Sequence, residues 1–93
     1  MPDNPGKYIR IRREDNDGEN ALVRVINRAP LPVQNIILDA NFEDGKGEYY
    51  YAPLEIQRVL YPKEQITIVI DPHVVPVEYQ DSLEIVVVSA ETL

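Results

Sequence analysis

The sequence contains no cysteine and no tryptophan among its 93 residues, and it has a single histidine. The chain therefore lacks a disulfide scaffold, a thiolate metal site and a cysteine nucleophile. A zinc site would have to combine His73 with carboxylates alone, which is an unusual ligand set. The Asp71-Pro72-His73 turn instead favours a solvated loop histidine. We expect no cofactor and no bound metal at this position.

Sequence features of catalysis, membrane insertion and secretion are also missing. Ser82 and Ser89 lack the Gly-x-Ser-x-Gly context of a nucleophilic serine, and any triad would have to use His73. No apolar run approaches the ~18–20 residues that a membrane-spanning helix needs. The first ten residues, MPDNPGKYIR, lack the apolar core of a signal peptide. We therefore expect a protein that is not an enzyme and has no membrane-spanning segment.

The net charge is −7 and it is unevenly distributed. Residues 1–28 carry six basic and five acidic side chains, whereas residues 29–93 carry three basic and eleven acidic ones. Because an acidic body repels phosphate backbones, we expect no nucleic-acid binding. The cluster of Arg10, Arg12 and Arg13 has two interpretations: charge that serves solubility, or a contact for an acidic partner.

The chain does contain many short runs in which apolar and polar residues alternate. The most patterned stretch, residues 22–45, holds two such runs separated by Pro30 and Pro32, which stop strand pairing. Eight prolines along the chain interrupt any long helix. In the second run we expect one buried face, which consists of Ile36, Leu38, Ala40 and Phe42.

Strand patterns occupy residues 7–13, 21–28, 33–43, 48–52, 65–71 and 83–89, with a short strand-like piece at 74–79. Residues 54–61 fit either extended structure, which we favour, or one helical turn. We expect Pro53 to end the fourth strand and Asp44-Gly45 to form a primed hairpin turn. The nearly continuous apolar character of 83–89 predicts a central strand covered on both faces. Together these patterns predict an all-β fold, a small antiparallel Ig-like β-sandwich of six to seven strands.

The length predicts a single domain. We expect it to span residues 7–90, after a disordered segment at 1–6 and before a frayed terminus at 91–93. The opening Pro-Asp-Asn-Pro-Gly is typical of a linker, so we expect this domain to be part of a larger protein.

Three short motifs between residues 21 and 71 carry a resemblance to a known group. They are Val25-Ile26-Asn27 at a strand end, Phe42-Glu43-Asp44-Gly45 before a hairpin, and the turn Leu60-Tyr61-Pro62-Lys63-Glu64. In these motifs the chain resembles bacterial FxLYD-type domains and related Ig-like accessory β-sandwiches. It departs from these domains at two positions. Lys63 replaces the usual turn glycine, and Gly45 follows Asp44 sooner than the motif glycine does, so Gly47 is the alternative match for that glycine.

The resemblance implies a non-enzymatic module of a cell-envelope or secreted protein; without it, we expect a cytoplasmic protein. It also implies structural roles for the matched residues. Asn27 would bond to the backbone at a corner, and Asp44 with the glycines would shape the hairpin.

Tyr49, Tyr50 and Tyr51 are the leading candidates for a binding surface. In a strand, Tyr49 and Tyr51 face one way and Tyr50 the other, so at least one ring is exposed. Tyrosine offers a large, rigid contact area with a polar end, which suits an interface. The alternative is that the rings are ordinary β-forming residues along the edge of the sandwich. Arg10 and Arg12 are the second candidate surface.

The acidic turn at residues 14–20 is the best candidate for binding a metal. Asp15, Asp17 and Glu19 could supply carboxylate oxygens to calcium. The EF-hand register fails, because Arg13 and Arg24 fall at the first and last ligand positions. A local turn motif explains the same residues. We therefore predict a non-catalytic accessory or protein-interaction domain that recognises a protein or a neighbouring domain through its surface, with strand addition at an open edge as one route. The alternative is a calcium- or small-ligand-binding module.

Overall fold

The structure is a computed structural model that describes residues 5–93. The disorder predicted for residues 1–6 falls outside the described residues at positions 1–4, while residues 5 and 6 begin a 3₁₀ helix, Pro5–Tyr8. A second 3₁₀ helix, Val77–Ser82, precedes the last strand. The six strands of the described residues are β1 (Ile9–Asp17), β2 (Asn20–Asn27), β3 (Val33–Glu43), β4 (Tyr49–Ile56), β5 (Gln65–Ile70) and β6 (Glu84–Thr92).

The six strands form two antiparallel sheets of three strands each. The first sheet has the order β1-β2-β5 and the second the order β4-β3-β6. The predicted all-β sandwich is therefore confirmed, with six strands in the described part of the chain. Since β2 and β3 are the central strands, residues 20–43 supply the middle of both sheets.

The core lies between the two central strands. Ile36 and Leu38 on β3, like Val23 and Val25 on β2, are fully buried. This confirms the core face predicted for β3, because alternation turns every second side chain toward the other sheet. Each fully buried aliphatic side chain of this size stabilises the fold by roughly 1.5–3 kcal/mol.

Asn27 anchors the corner that follows β2. Its side-chain amide donates to the carbonyls of Leu31, at 3.1 Å, and Leu60, at 2.8 Å. Its Oδ1 accepts a hydrogen bond from the backbone N–H of Ala29 at 2.8 Å. Leu60 is also paired with Val33 through two backbone hydrogen bonds of 2.9 Å. The bonding of Asn27 to the backbone, which the motif implied, is therefore present in the structure.

Two prolines act differently from the sequence prediction. Pro53 does not end β4, which continues to Ile56 with Pro53 opposite Asp39. An edge strand tolerates proline because its outer side needs no ladder donor. The prediction of a short strand-like piece at 74–79 is wrong, since a 3₁₀ helix begins directly after Pro76. The ambiguous residues 54–61 are extended as far as Ile56, as favoured.

The central position predicted for the last strand is wrong. β6 lies at the edge of its sheet, paired only with β3 among the described strands. Val86 and Val88 are 41% and 56% exposed, so its outer face is not covered. The strand also extends to Thr92, and the Leu93 N–H donates to the Pro32 carbonyl at 3.1 Å, where a frayed terminus was expected.

Two hairpin turns contain a glycine with a positive φ. Gly18, between β1 and β2, has a φ of 62°, in the left-handed region that glycine adopts without steric cost. The prediction of a primed turn at Asp44-Gly45 is wrong. A primed turn needs a positive φ at a central residue, and in this hairpin the positive φ, 86°, is that of Gly47. The hairpin between β3 and β4 is therefore a longer loop closed by Gly47.

Candidate functional site

The β3–β4 hairpin is organised around the carboxylate of Asp44. Its Oδ1 accepts hydrogen bonds from the backbone N–H groups of Lys46, at 2.8 Å, and Glu48, at 3.1 Å. Its Oδ2 accepts a hydrogen bond from the Tyr50 hydroxyl at 3.1 Å. A side chain that bonds to the backbone two residues further on is typical of an Asx turn. Asp44 therefore fixes the loop that leads into the tyrosine strand.

These contacts shift two pKa values in opposite directions. The N–H groups of Lys46 and Glu48, with a smaller contribution from Tyr50, lower the pKa of Asp44 below its ordinary value of 3.8. The hydrogen bond to Asp44 and the negative charge of its carboxylate raise the pKa of Tyr50 above 10.0. Both shifts favour the same state, an ionised Asp44 accepting from a neutral Tyr50.

The three tyrosines of β4 divide between the two faces of the sheet, as the alternation predicts. Tyr50 turns toward the core side, where its ring stacks on Phe42 with centroids 5.4 Å apart. Tyr49 and Tyr51 point outward and are 65% and 67% exposed. Tyr50 is therefore fixed to the hairpin by its contacts with Asp44 and Phe42 although it is 42% exposed, while Tyr49 and Tyr51 are more exposed.

Tyr49 and Tyr51 belong to a larger apolar surface on the outer face of the second sheet. Asn41 on β3 lies opposite Tyr51, and Asp39 lies between Pro53 and Val86. The β3–β6 register shifts where Ile37 and Leu38 of β3 lie opposite Ser89 and Val87 of β6; Val88, between these two, is exposed, as is Ser89. We call this surface the tyrosine face; its exposed apolar members are Ile37, Tyr49, Tyr51, Pro53, Val86 and Val88.

The tyrosine face is also uniformly acidic. Strands β3, β4 and β6 contain no lysine or arginine. They carry five carboxylates, those of Asp39, Glu43, Glu55, Glu84 and Glu91. Sequence reasoning missed Val86 and Val88 as members of this surface, because the continuous apolar run of β6 is equally typical of a covered strand.

Arg10 and Arg12 of β1 lie on the outer face of the first sheet, whereas Arg13 lies opposite the buried Val23 and its guanidinium donates to Oδ1 of Asn16 at 3.2 Å. Arg10 and Arg12 are exposed on this edge strand, opposite Ile26 and Arg24 of β2. Beside Arg12 the surface forms a concavity of about 510 Å³. We call it the arginine groove; its lining includes Arg12, Arg24, Ile26, Arg28, Lys63 and Gln65.

The cations of the arginine groove differ in whether they have a partner. Nε of Arg24 lies 2.8 Å from Oε1 of Glu14, an ion pair whose angles do not meet hydrogen-bond geometry. The side chains of Arg12, Arg28 and Lys63 have no ion pair or hydrogen bond within residues 5–93. Sequence reasoning identified Arg12 but not Arg28 or Lys63, which only the fold brings beside it.

The acidic turn does not assemble into a metal centre. Asp15, Asp17 and Glu19 are exposed, and residues 14–17 continue β1 instead of forming a loop. The neighbouring Asn16 is committed to other contacts, since its amide donates to Oε1 of Gln80 at 2.6 Å. Across residues 5–93, no group of three or more His, Asp or Glu side chains is placed to hold a metal ion.

His73, Ser82 and Ser89, the residues considered for hydrolysis, have no hydrogen bond or ion pair with one another within residues 5–93. His73 is 98% exposed, and its Nδ1 lies 3.5 Å from Oδ1 of Asp71. The Ser82 hydroxyl accepts from the Glu43 N–H at 2.9 Å and lies 2.9 Å from the Tyr79 carbonyl, so it fastens the second 3₁₀ helix to the end of β3. Ser89 lies exposed on β6.

The fold and these surfaces define the class of the protein as a small all-β sandwich with two chemically distinct outer faces. No protein-family model, curated protein or solved structure matches the chain. Among residues 5–93 there is no helix whose length and apolar character would let it cross a membrane.

Proposed function

We propose that this chain is a non-catalytic protein-interaction domain that binds its partner across the tyrosine face. The observation that carries the proposal is the exposure of Tyr49 and Tyr51 on the same sheet face as Val86 and Val88. Several exposed large apolar side chains gathered on one face of a sheet favour an interaction site. Two rigid tyrosines at one end supply the kind of anchors that dominate binding energy.

The charge of the tyrosine face specifies the partner further. Five carboxylates are interspersed with the apolar side chains, with Asp39 between Pro53 and Val86, and no cation lies on the three strands. A partner with lysines or arginines around an apolar centre complements this surface and is steered to it. We therefore propose a cationic protein surface as the partner.

Docking across the face is favoured over strand addition at the edges of this sheet. Pro53 lies in the edge strand β4, and proline weakens an edge as a template for an incoming strand. At the opposite side of the sheet, the first 3₁₀ helix contacts β6. The side chains that stand on the face, rather than the backbone at its rims, are therefore the recognition elements.

The wider context that we propose follows the sequence resemblance. An accessory Ig-like domain of the FxLYD type within a larger bacterial envelope or secreted protein would have this size, this architecture and no catalytic centre. The backbone bonding of Asn27 and Asp44 supports this assignment. A neighbouring domain of the parent chain is one source of the cationic surface.

An NMR titration tests the tyrosine face. Short synthetic peptides with lysines around a leucine-rich centre are added to the ¹⁵N-labelled chain, and matched peptides carrying glutamate or glutamine serve as comparisons. We expect the cationic peptide alone to shift the amides of Ile37, Tyr51 and Val86. The substitutions Tyr51→Ser and Val86→Ser should abolish these shifts while the fold is retained.

Tyr61→Ser is the matched control, because Tyr61 is also exposed but lies outside the three strands of this sheet. It should leave the shifts intact. Equal shifts with all three peptides, or shifts that Tyr61→Ser reduces as much as Tyr51→Ser, would contradict binding at the tyrosine face.

A further inference from the structure

The arginine groove lies on the sheet opposite the tyrosine face. We infer that it binds a short acidic segment of a partner protein, in which carboxylates flank one apolar side chain. Arg12, Arg28 and Lys63 would contact the carboxylates, and the half-buried Ile26 would receive the apolar side chain. This surface differs from the tyrosine face in location, in charge and in the partner that it fits.

The pairing of β1 with β2 places like charges side by side in the groove. Arg12 lies directly opposite Arg24 in the register. Like charges at such positions destabilise a sheet. Glu14 neutralises Arg24 but leaves Arg12 without a counter-charge among the described residues. An incoming carboxylate beside Arg12 would supply the missing counter-charge and would gain charge-assisted hydrogen bonds.

Lys63 reaches the groove from a strained turn. The N–H of Glu64 donates to the Tyr61 carbonyl at 2.9 Å, which closes a four-residue turn with Pro62 at its second position. Lys63 follows with a φ of 69°, so this is the position of a type II turn that normally requires glycine. A lysine kept in a conformation that disfavours side chains is the kind of backbone outlier that occurs at functional sites.

The backbone holds this turn against the end of β2. The Lys63 N–H donates to the Asn27 carbonyl at 2.8 Å, and the Asn27 N–H donates to the Glu64 carbonyl at 3.0 Å. These bonds continue the β2–β5 pairing beyond Ile26 and Gln65. Lys63 and Arg28 are consequently fixed at one end of the groove, with Arg12 and Arg24 further along it.

The charge of the whole molecule favours a short acidic peptide over nucleic acid. The chain has a net charge of −7, and the second sheet carries carboxylates without any cation. Since surface charges are screened beyond about 8 Å at physiological salt, a short segment inside the groove experiences mainly the local cations. A long polyanion would extend past the groove to the acidic remainder of the protein.

Titration of the ¹⁵N-labelled chain with a synthetic peptide of glutamates around a central leucine tests the inference. We expect shifts at Ile26, Arg28 and Lys63 and at the side-chain Nε–H of Arg12. The double substitution of Arg12→Glu with Arg28→Glu should weaken binding at least about tenfold, since two charge-assisted contacts are lost. Arg12→Glu places a carboxylate opposite Arg24, so we expect the variant to remain folded.

Lys46→Glu is the matched control, because it makes the same type of charge change on the exposed β3–β4 hairpin, outside the groove. It should change the affinity by less than about twofold, as expected for a screened charge. Tyr51→Ser should not affect this binding, so failure of the tyrosine face and failure of the arginine groove are distinguishable.

The remaining arms of the experiment use inorganic phosphate and a single-stranded oligonucleotide of the same charge as the peptide. Weak or scattered shifts with both probes support the acidic peptide. If phosphate shifts the same residues as strongly as the peptide, or if the oligonucleotide binds more tightly at Arg12 and Arg28, the inference is overturned. It is also overturned if the peptide produces no shifts at the groove.

Discussion

The side-chain amide of Asn27 donates to the carbonyl of Leu60 at 2.8 Å, and this bond joins the end of β2 to the connection between β4 and β5. Asn27 is fully buried and makes three hydrogen bonds to the backbone with its side chain. Because Leu60 pairs with Val33 at the start of β3, the amide ties together a corner of both sheets.

Replacing Asn27 with alanine should strongly destabilise the domain. The substitution leaves the carbonyls of Leu31 and Leu60 and the N–H of Ala29 without their side-chain partner. We expect the free energy of unfolding, measured by urea denaturation, to fall by about 3–5 kcal/mol. Asn41→Ala is the comparison, since Oδ1 of Asn41 accepts no hydrogen bond from residues 5–93, and it should cost less than about 1 kcal/mol. Equal losses for the two variants would contradict the role of Asn27.

Gln80 should hold the second 3₁₀ helix to the β1–β2 hairpin. Its amide donates to the Glu19 carbonyl at 2.9 Å, and its Oε1 accepts from Asn16 at 2.6 Å. Gln80→Ala should lower the free energy of unfolding by about 2–3 kcal/mol, because these groups lose a buried partner. Hydrogen exchange should also accelerate at the amides of residues 16–20. Asn16→Ala removes only one of the contacts and should have the smaller effect.

Lys63 should be replaceable by glycine without loss of stability. A side chain in the left-handed region costs about 1–2 kcal/mol, which the greater backbone entropy of unfolded glycine partly offsets. We expect Lys63→Gly to leave the free energy of unfolding unchanged or to raise it by up to about 1 kcal/mol. Lys63→Val should lower it, because β-branched residues tolerate this conformation poorly. A clear loss of stability in Lys63→Gly would show that the lysine side chain supports the fold.

The Asp44–Tyr50 pair should make stability depend on pH at both extremes. The lowered pKa of Asp44 contributes stability that is present above its ordinary value of 3.8 and is lost as pH falls through the folded pKa. The raised pKa of Tyr50 contributes stability that is present below 10.0 and is lost as pH rises through the folded pKa. NMR titration of the Asp44 carboxyl and the Tyr50 ring measures both values.

The substitution Asp44→Asn separates the contribution of the Asp44 carboxylate to the pH dependence of stability from that of the Tyr50 hydroxyl. It should bring the pKa of Tyr50 back toward 10.0, because it removes the carboxylate charge and the strongest acceptor. The variant should be less stable than the natural chain at neutral pH, and the difference should shrink as Asp44 becomes protonated in the natural chain. A Tyr50 pKa that does not change in Asp44→Asn would contradict the contact between the two side chains.

Much of the local structure could be predicted from the pattern of individual strands. The bounds of β3 and its buried face from Ile36 to Phe42 follow from alternation alone. The left-handed φ of Gly18 follows from its turn chemistry. In the candidate site, the division of the tyrosines, with Tyr49 and Tyr51 outward and Tyr50 inward, follows from the same two-residue period.

Other features could not be predicted because they depend on where a strand lies in its sheet. The apolar run from Ile85 to Val88 is compatible with a central strand, and only the pairing with β3 shows that it is an edge with Val86 and Val88 exposed. Proline would end a central strand but is tolerated at an edge, and β4, which contains Pro53, is an edge strand. The positive φ lies at Gly47 rather than at Asp44-Gly45. The Asp44 carboxylate accepts hydrogen bonds from the N–H groups of Lys46 and Glu48, and these bonds define a longer loop.

The sequence by itself determined which side chains share a face on a regularly alternating strand such as β3, and roughly where most of the strands lie, because both depend on residues close together in the chain. Only the tertiary structure decided the order of strands in the sheets. Backbone N–H and C=O groups are the same in every strand, so pairing partners are selected by packing of the whole core. That order places Arg12, Arg28 and Lys63 in one groove and collects the acidic strands on the opposite sheet.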